Sequence, residues 1–219
     1  MIDRAKGIIF DLDNTLLRSN IDFERMKAET HAYLVSRGVL PSGLDLRAHT
    51  TSTVIEAAMN TSRMTEEWIR EMWDIPKRLE LLGMENAELE PGVPETLTRL
   101  RGKFRLVVVT NNTVDAAEKA LRDNGILGAF DCVVGRDMMR TLKPAPDGFL
   151  CVLERFRDAA AGEWISVGDS WIDGKASAAA GIPFVAYRAD EASMRRMGVA
   201  PIAYIADIRE IADICDFKA

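Results

Sequence analysis

The chain has 219 residues, with 28 Lys and Arg against 34 Asp and Glu, a formal net charge of −6, and 47% apolar residues. That length makes one large domain or one domain carrying a sizeable insertion, and the composition excludes general disorder. The negative field disfavours non-specific contact with nucleic acid or an anionic membrane surface, though it leaves room for a local cationic pocket.

Taken from the N-terminus, residues 1–7 mix charged and small groups, and the apolar run after them is only Ile8-Ile9-Phe10. A secretory signal needs a longer apolar stretch, and no segment approaches the ~20 apolar residues of a membrane span. Cys132, Cys151 and Cys215 are odd in number and lack metal-ligand spacing, which argues against a disulfide framework. A cytoplasmic protein is expected.

Residues 7–11 (GIIFD) form a short apolar run that stops abruptly in acid, the pattern of a buried strand reaching the edge of a sheet. Four later runs are similar: 104–110 (FRLVVVT), 130–135 (FDCVVG), 164–168 (WISVG) and 183–187 (PFVAY), with 203–205 as a short last strand. Helical patterns at 94–100, 114–124, 146–156 and 173–180 alternate with them, and Gly125 and Gly181 stand at the usual C-terminal position. The expected fold is α/β: a Rossmann-like parallel sheet with helices on both faces. Residues 16–92 are too many for one crossover helix. Phe23, Met26, Tyr33 and Leu34 share one helical face, as do Val54, Ala57 and Ala58, and Trp68, Ile69 and Met72. Three or four inserted helices are expected there, with Pro76 starting a new helix or kinking the old one. The domains are accordingly read as an α/β core (1–18 and 91–219) and a helical insertion (19–90).

In such sheets ligands bind beyond the carboxyl ends of the strands. The strand ends here carry Asp11-Leu12-Asp13-Asn14-Thr15, Thr110-Asn111-Asn112, and Gly168-Asp169-Ser170 with Asp173 one turn on, while Lys143 lies in the loop after the third strand. Four carboxylates, a hydroxyl and an ammonium thus converge on one edge. Clustered carboxylates repel unless a cation sits among them, and hard oxygen ligands select Mg²⁺. A carboxylate in such a cluster can attack phosphorus, and a hydroxyl and a lysine can neutralise the phosphoryl oxygens.

These four ordered motifs resemble those of the haloacid dehalogenase-like hydrolases, specifically the phosphatases with a helical cap inserted after the first strand, the subgroup that includes phosphoglycolate phosphatases. The resemblance covers nearly the whole chain. It implies Asp11 as nucleophile and Asp13 as general acid/base that also offers its main-chain carbonyl to Mg²⁺. Thr110, with the backbone of Asn111, would hold the phosphoryl oxygens, and Lys143 would stabilise nucleophile and phosphoryl group. Asp169 would bind Mg²⁺ directly, and Asp173 directly or through water. An Asp two residues after the nucleophile implies phosphoryl transfer rather than dehalogenation, because an alkoxide leaving group needs a proton. The expected activity is Mg²⁺-dependent hydrolysis of a small phosphorylated metabolite through an aspartyl-phosphate, by a monomer or homodimer with no nucleic-acid or membrane partner. A phosphomutase of the same superfamily and a non-catalytic phosphate-binding relative are the alternatives.

Other patterns carry less. Residues 168–175 (GDSWIDGK) fail as a phosphate-binding loop: the glycines are one residue too far apart, and Ala176 stands where a Ser or Thr is needed. A receiver domain would need its acceptor Asp at the end of the third strand, where Val133-Val134-Gly135 stands. His31 and His49 are placed on different helices and read as structural. Trp68 and Trp73 read as core of the insertion, and Trp171 either lines the mouth of the site or packs inward.

Overall fold

The computed structural model describes residues 5–216; the readings made on residues 1–4, and the core's ends at 1–4 and 217–219, lie outside them. The chain divides into two compact units, Asn20–Asn86 and the rest.

In the α/β unit, β1 (Gly7–Phe10) leads into a two-residue strand, β2 (Leu17–Arg18). The helical unit follows: α1 (Phe23–Ser36), α2 (Thr51–Met59) and α3 (Glu66–Met84). The chain returns through β3 (Glu88–Leu89), which pairs antiparallel with β2. Strand and helix then alternate: α4 (Val93–Leu100), β4 (Arg105–Val109), α5 (Val114–Asp123), β5 (Cys132–Val134), α6 (Asp147–Arg155), β6 (Trp164–Gly168), α7 (Trp171–Ala179), β7 (Phe184–Tyr187), α8 (Glu191–Arg196), β8 (Ala203–Ile205) and α9 (Glu210–Asp216).

The main sheet runs β5-β4-β1-β6-β7-β8 with every neighbouring pair parallel. From β1 the chain builds outward through β4 and β5, then crosses to β6 and builds the other way. The direction of winding therefore reverses around β1, which is where open α/β sheets leave a crevice. Ile9, Val107, Val109 and Val134 pack with Phe149 and Val152 of α6, Ala176 of α7 and Ala180 just past its end. The alternate residues Ile8, Phe10, Leu106 and Val108 point to the opposite face and are equally buried, so both faces are covered. Each such side chain stabilises the fold by about 1.5–3 kcal/mol. The Thr113 hydroxyl caps α5 by accepting from the Ala116 N–H (3.3 Å), and Gly125 and Gly181 follow α5 and α7 at φ 73° and 74°.

The helical unit has its own core of Leu34, Val39, Val54, Ile55, Ala58 and Met72, with Trp68 and Trp73 packed against it. Phe23 departs from the expected apolar face, being 41% exposed at the first turn of α1. Pro76 lies inside α3, so no new helix starts there; its missing N–H leaves the Met72 carbonyl without the usual donor. His49 precedes α2 rather than lying on a helix, and its Nδ1 meets Thr53 Oγ1 at 3.2 Å. His31 is buried in α1, its Nε2 3.0 Å from the Pro41 carbonyl. No helix among the described residues is long and apolar enough to cross a membrane.

Candidate active site

The carboxyl end of β1 is fixed by backbone chemistry. The Asp11 N–H donates to the Val167 carbonyl (2.9 Å), extending the ladder with β6 by one residue. The Leu12 carbonyl then accepts from both Leu16 and Leu17 N–H groups at 2.9 Å, folding the chain back on itself. Asn14 takes a left-handed conformation (φ 57°) in this turn, one that Asn tolerates better than most residues.

Asp11 and Asp13 leave this turn into different surroundings. Asp11 Oδ1 accepts from Lys143 Nζ at 2.6 Å. Among the described residues Asp13 accepts from neutral groups: Ser19 Oγ on Oδ1 and Asn112 Nδ2 on Oδ2, both at 2.7 Å. Lys143 is 2% exposed, and its ammonium also donates to Asp173 Oδ1 (2.6 Å) and the Val109 carbonyl (2.9 Å). All three of its protons therefore have acceptors. Asp173 is placed by the first turn of α7, where its Oδ2 accepts from the Ser170 N–H (3.1 Å). Its carboxylate lies so close to the end of β6 that a Cβ on Gly168 would stand 2.7 Å from Asp173 Cγ and Oδ2.

The loop after β4 holds these parts together. Thr110 is buried, and its hydroxyl accepts from the Asn112 N–H at 3.1 Å. Asn111 uses its side chain, not only its backbone: Nδ2 donates to the Lys143 carbonyl (3.1 Å) and Oδ1 accepts from the Lys143 N–H (2.9 Å). That two-point clamp fixes the loop carrying the lysine. Sequence reasoning missed Asn112 and Ser19; Asn112 directly follows two flagged residues at a strand end, the signal that would have found it.

Asp11, Asp169 and Asp173 bring carboxylate oxygens within 4.8 Å of one another. Burial pushes Asp11 up to about 7; Lys143 opposes the rise, and Asp173 and Asp13 add to it. Asp169 stands well above the usual carboxylate range, through burial and then the charges of Asp11 and Asp173. Asp13 is raised by burial, against the hydrogen bonds from Ser19 and Asn112. Burial disfavours the Lys143 ammonium, but Asp11 and Asp173 outweigh it and raise its pKa. Three carboxylates against one ammonium leave two negative charges, which a single divalent cation balances. The donors are all hard oxygens. The set fits a divalent metal ion held by oxygen.

A separate hollow of about 720 Å³ lies at the amino ends of the strands, lined in part by Lys6, Arg101, Lys103 and Arg105. Its acids are already engaged: Asp158 by Arg105 (2.6 and 2.7 Å) and Asp131 by the Leu106 N–H (2.8 Å). The Asp11, Asp169 and Asp173 cluster is at the other end of the sheet. Trp171 packs with the group formed by Phe184, Ala186, Met194 and Val199. None of the three cysteines forms a disulfide.

The model of the haloacid dehalogenase-like hydrolases matches residues 8–187, and the chain belongs to that family. It is 30% identical over 191 residues to a phosphoglycolate phosphatase of Rhodobacter capsulatus, covering 84% of each chain. It is 29% identical over 202 residues to the phosphoglycolate phosphatase of Escherichia coli, covering 82% of this chain and 80% of that one. Among solved structures, a HAD-superfamily hydrolase of subfamily IA from Geobacter sulfurreducens superposes with a TM-score of 0.62 at 26% identity, covering 96% of this chain and 99% of that one.

Proposed function

We propose that this protein is a Mg²⁺-dependent phosphomonoesterase acting on a small phosphorylated acid, with phosphoglycolate the first candidate because the curated relatives above carry that activity. The observation that carries the reading is the contrast at the end of β1. Asp11 faces an ammonium and two further carboxylates, while Asp13 is held by neutral donors.

Asp11 is suited to be the nucleophile. Its carboxylate oxygen attacks phosphorus, the bond from phosphorus to the ester oxygen breaks, and an aspartyl-phosphate forms. Asp13 carries the proton: its carboxyl protonates the departing alkoxide, and the resulting carboxylate takes a proton from water. The water oxygen attacks phosphorus, the bond to Asp11 breaks, and inorganic phosphate leaves with Asp11 restored. Thr110, with the Asn111 backbone, is assigned to the phosphoryl oxygens, and Lys143 to holding Asp11 in place while offsetting its charge. Asp11, Asp169 and Asp173, with the Asp13 main-chain carbonyl, would hold Mg²⁺, which when bound offsets charge on the transferring phosphoryl group. The helical insertion is assigned the role of cap, contacting the part of the substrate that is not phosphate and excluding water.

The test uses small phosphomonoesters, phosphoglycolate among them, with Mg²⁺ and with excess chelator. Turnover should vanish in chelator and return with Mg²⁺. With an activated aryl phosphate, Asp13→Asn should accumulate phosphorylated protein, with peptide mapping placing the group on Asp11. Full activity in chelator, or a phosphoryl group on Ser170 or Thr110, would overturn the assignment.

A further inference from the structure

Asp13 lies two residues from Asp11 and at the same sheet edge as three clustered carboxylates. A cation bound there would attract any free carboxylate within reach, and a carboxylate drawn into coordination is a poor proton carrier. The structure places a restraint against this. Asn112 is 4% exposed, and its amide donates to Asp13 Oδ2 at 2.7 Å while Ser19 holds the other oxygen at the same distance. Asn112 is itself anchored through its backbone. Its N–H donates to Thr110 Oγ1 (3.1 Å), and its carbonyl accepts from the Arg136 N–H (2.7 Å). The amide thus belongs to the same rigid turn as the phosphate-holding Thr110, and it sets the angle at which Asp13 meets whatever Thr110 holds.

We infer that Asn112 is a positioning residue for proton transfer: its side-chain amide fixes the orientation of the Asp13 carboxylate and keeps it out of the Asp11–Asp169–Asp173 group. The inference rests on the phosphomonoesterase reading. Its consequence is selective. Steps that need a proton moved by Asp13 depend on Asn112, and attack by Asp11 on a substrate with an activated leaving group does not.

The experiment compares Asn112→Leu, which keeps the size and removes the donor, with Asn112→Asp, which keeps the shape and replaces the donor by an acceptor. Misplacing a proton-transfer group by about 1 Å costs on the order of a hundredfold. For an alkyl phosphate, kcat should fall roughly tenfold to hundredfold, with KM changing far less. For p-nitrophenyl phosphate the phosphorylation burst should survive and aspartyl-phosphate should accumulate. Asn112→Gln, which retains the amide on a longer arm, should recover part of the loss. Added to Asp13→Asn, Asn112→Leu should change the ratio of the two substrates no further, since residues acting through one group are non-additive. Mg²⁺ protection against thermal unfolding should be as strong in Asn112→Leu as in the wild type, or stronger if Asp13 joins the ligands. Equal losses for both substrates, additive effects with Asp13→Asn, or weakened Mg²⁺ protection would overturn the inference. If Asp13→Asn alone traps no phosphoenzyme, the functional reading has failed instead.

Discussion

Asp11→Asn should abolish turnover and yet make the metal-free protein more stable. Asp11 is held at about 7 in the folded chain against 3.8 without the fold, because burial and the charges of Asp173 and Asp13 outweigh the pull of Lys143. The folded state therefore binds its proton more tightly than the unfolded state does. Stability is lost as pH rises from near 4 to near 7, and the loss is complete above 7. A displacement of that size corresponds to roughly 4 kcal/mol at most. Protons shared among Asp11, Asp169 and Asp173 dilute the gain, and Asn still offers an acceptor to Lys143, so about half, ~2 kcal/mol, is expected from relieving the cluster. At about 2–4 °C per kcal/mol for a chain of this size, Tm should rise by about 4–8 °C. The assay is thermal unfolding in chelator at pH 7.5 and pH 5, repeated with saturating Mg²⁺. The gap should shrink to less than half at pH 5, where Asp11 is already protonated in the folded chain. It should close or reverse with Mg²⁺, because the ion stabilises the wild type in proportion to its affinity. A lower Tm for Asp11→Asn in chelator at pH 7.5, or a gap that ignores pH, would refute the reasoning.

Two further substitutions test how the site is built. Gly168→Ala would put a methyl 2.7 Å from an Asp173 carboxylate that Lys143 and Ser170 already tie down. Overpacking of this kind costs about 1–3 kcal/mol, and the concentration of Mg²⁺ giving half-maximal activity should rise at least about tenfold as Asp173 is displaced; an unchanged Mg²⁺ titration would count against the placement of Asp173. Glu90 is buried beside the ends of β3 and β7, accepting from the Tyr187 hydroxyl (3.1 Å) and Arg188 Nη1 (2.8 Å). Glu90→Ala should cost about 1–3 kcal/mol in urea unfolding, mostly from the orphaned Tyr187 hydroxyl since Arg188 is half exposed. Adding Tyr187→Phe should recover part of that loss, and no recovery would assign the cost to the ion pairs of Glu90 with Arg188 and Arg18.

What the sequence makes legible here is what depends on chain-local pattern. Ile8-Ile9-Phe10 before Asp11, and the Val107-Val108-Val109 run before Thr110, have the apolar continuity of strands buried on both faces, and residues 164–167 (WISV) before Gly168 come close to it. Their ends could therefore be located to within a residue or two. The ribbon of Leu17–Arg18 and Glu88–Leu89 was not foreseen, because two residues per strand show no period. Phe23 matches the helical face of Met26 by spacing, yet it is the first residue of α1 and stays 41% exposed. Pro76 breaks the local rule and is still absorbed, because α3 is held by the packing of Met72 and Leu79 on either side. The destination of a side chain is harder to read than its position. Asn111 and Asn112 are identical in type and adjacent, but one grips the Lys143 backbone and the other the Asp13 carboxylate. That divergence depends on the turn geometry after β4 and on partners 32 and 99 residues away.

One ammonium is enough at this edge of the sheet. Lys143 has three protons and three acceptors, two of them carboxylates from different elements and one the carbonyl that ends β4. It thereby fixes the separation of Asp11 and Asp173 while cancelling only part of their charge. A second buried ammonium would leave only one of the three negative charges uncompensated and weaken the reason for a divalent ion to enter. A carboxylate in place of the lysine would leave the cluster to protonate, since burial already holds Asp11 near 7 and Asp169 well above its usual range. The arrangement leaves a charge deficit that a divalent ion satisfies and a proton satisfies less well. Asp13 accepts from the neutral Ser19 and Asn112 groups rather than from the ammonium, although its charge still adds to the rise at Asp11.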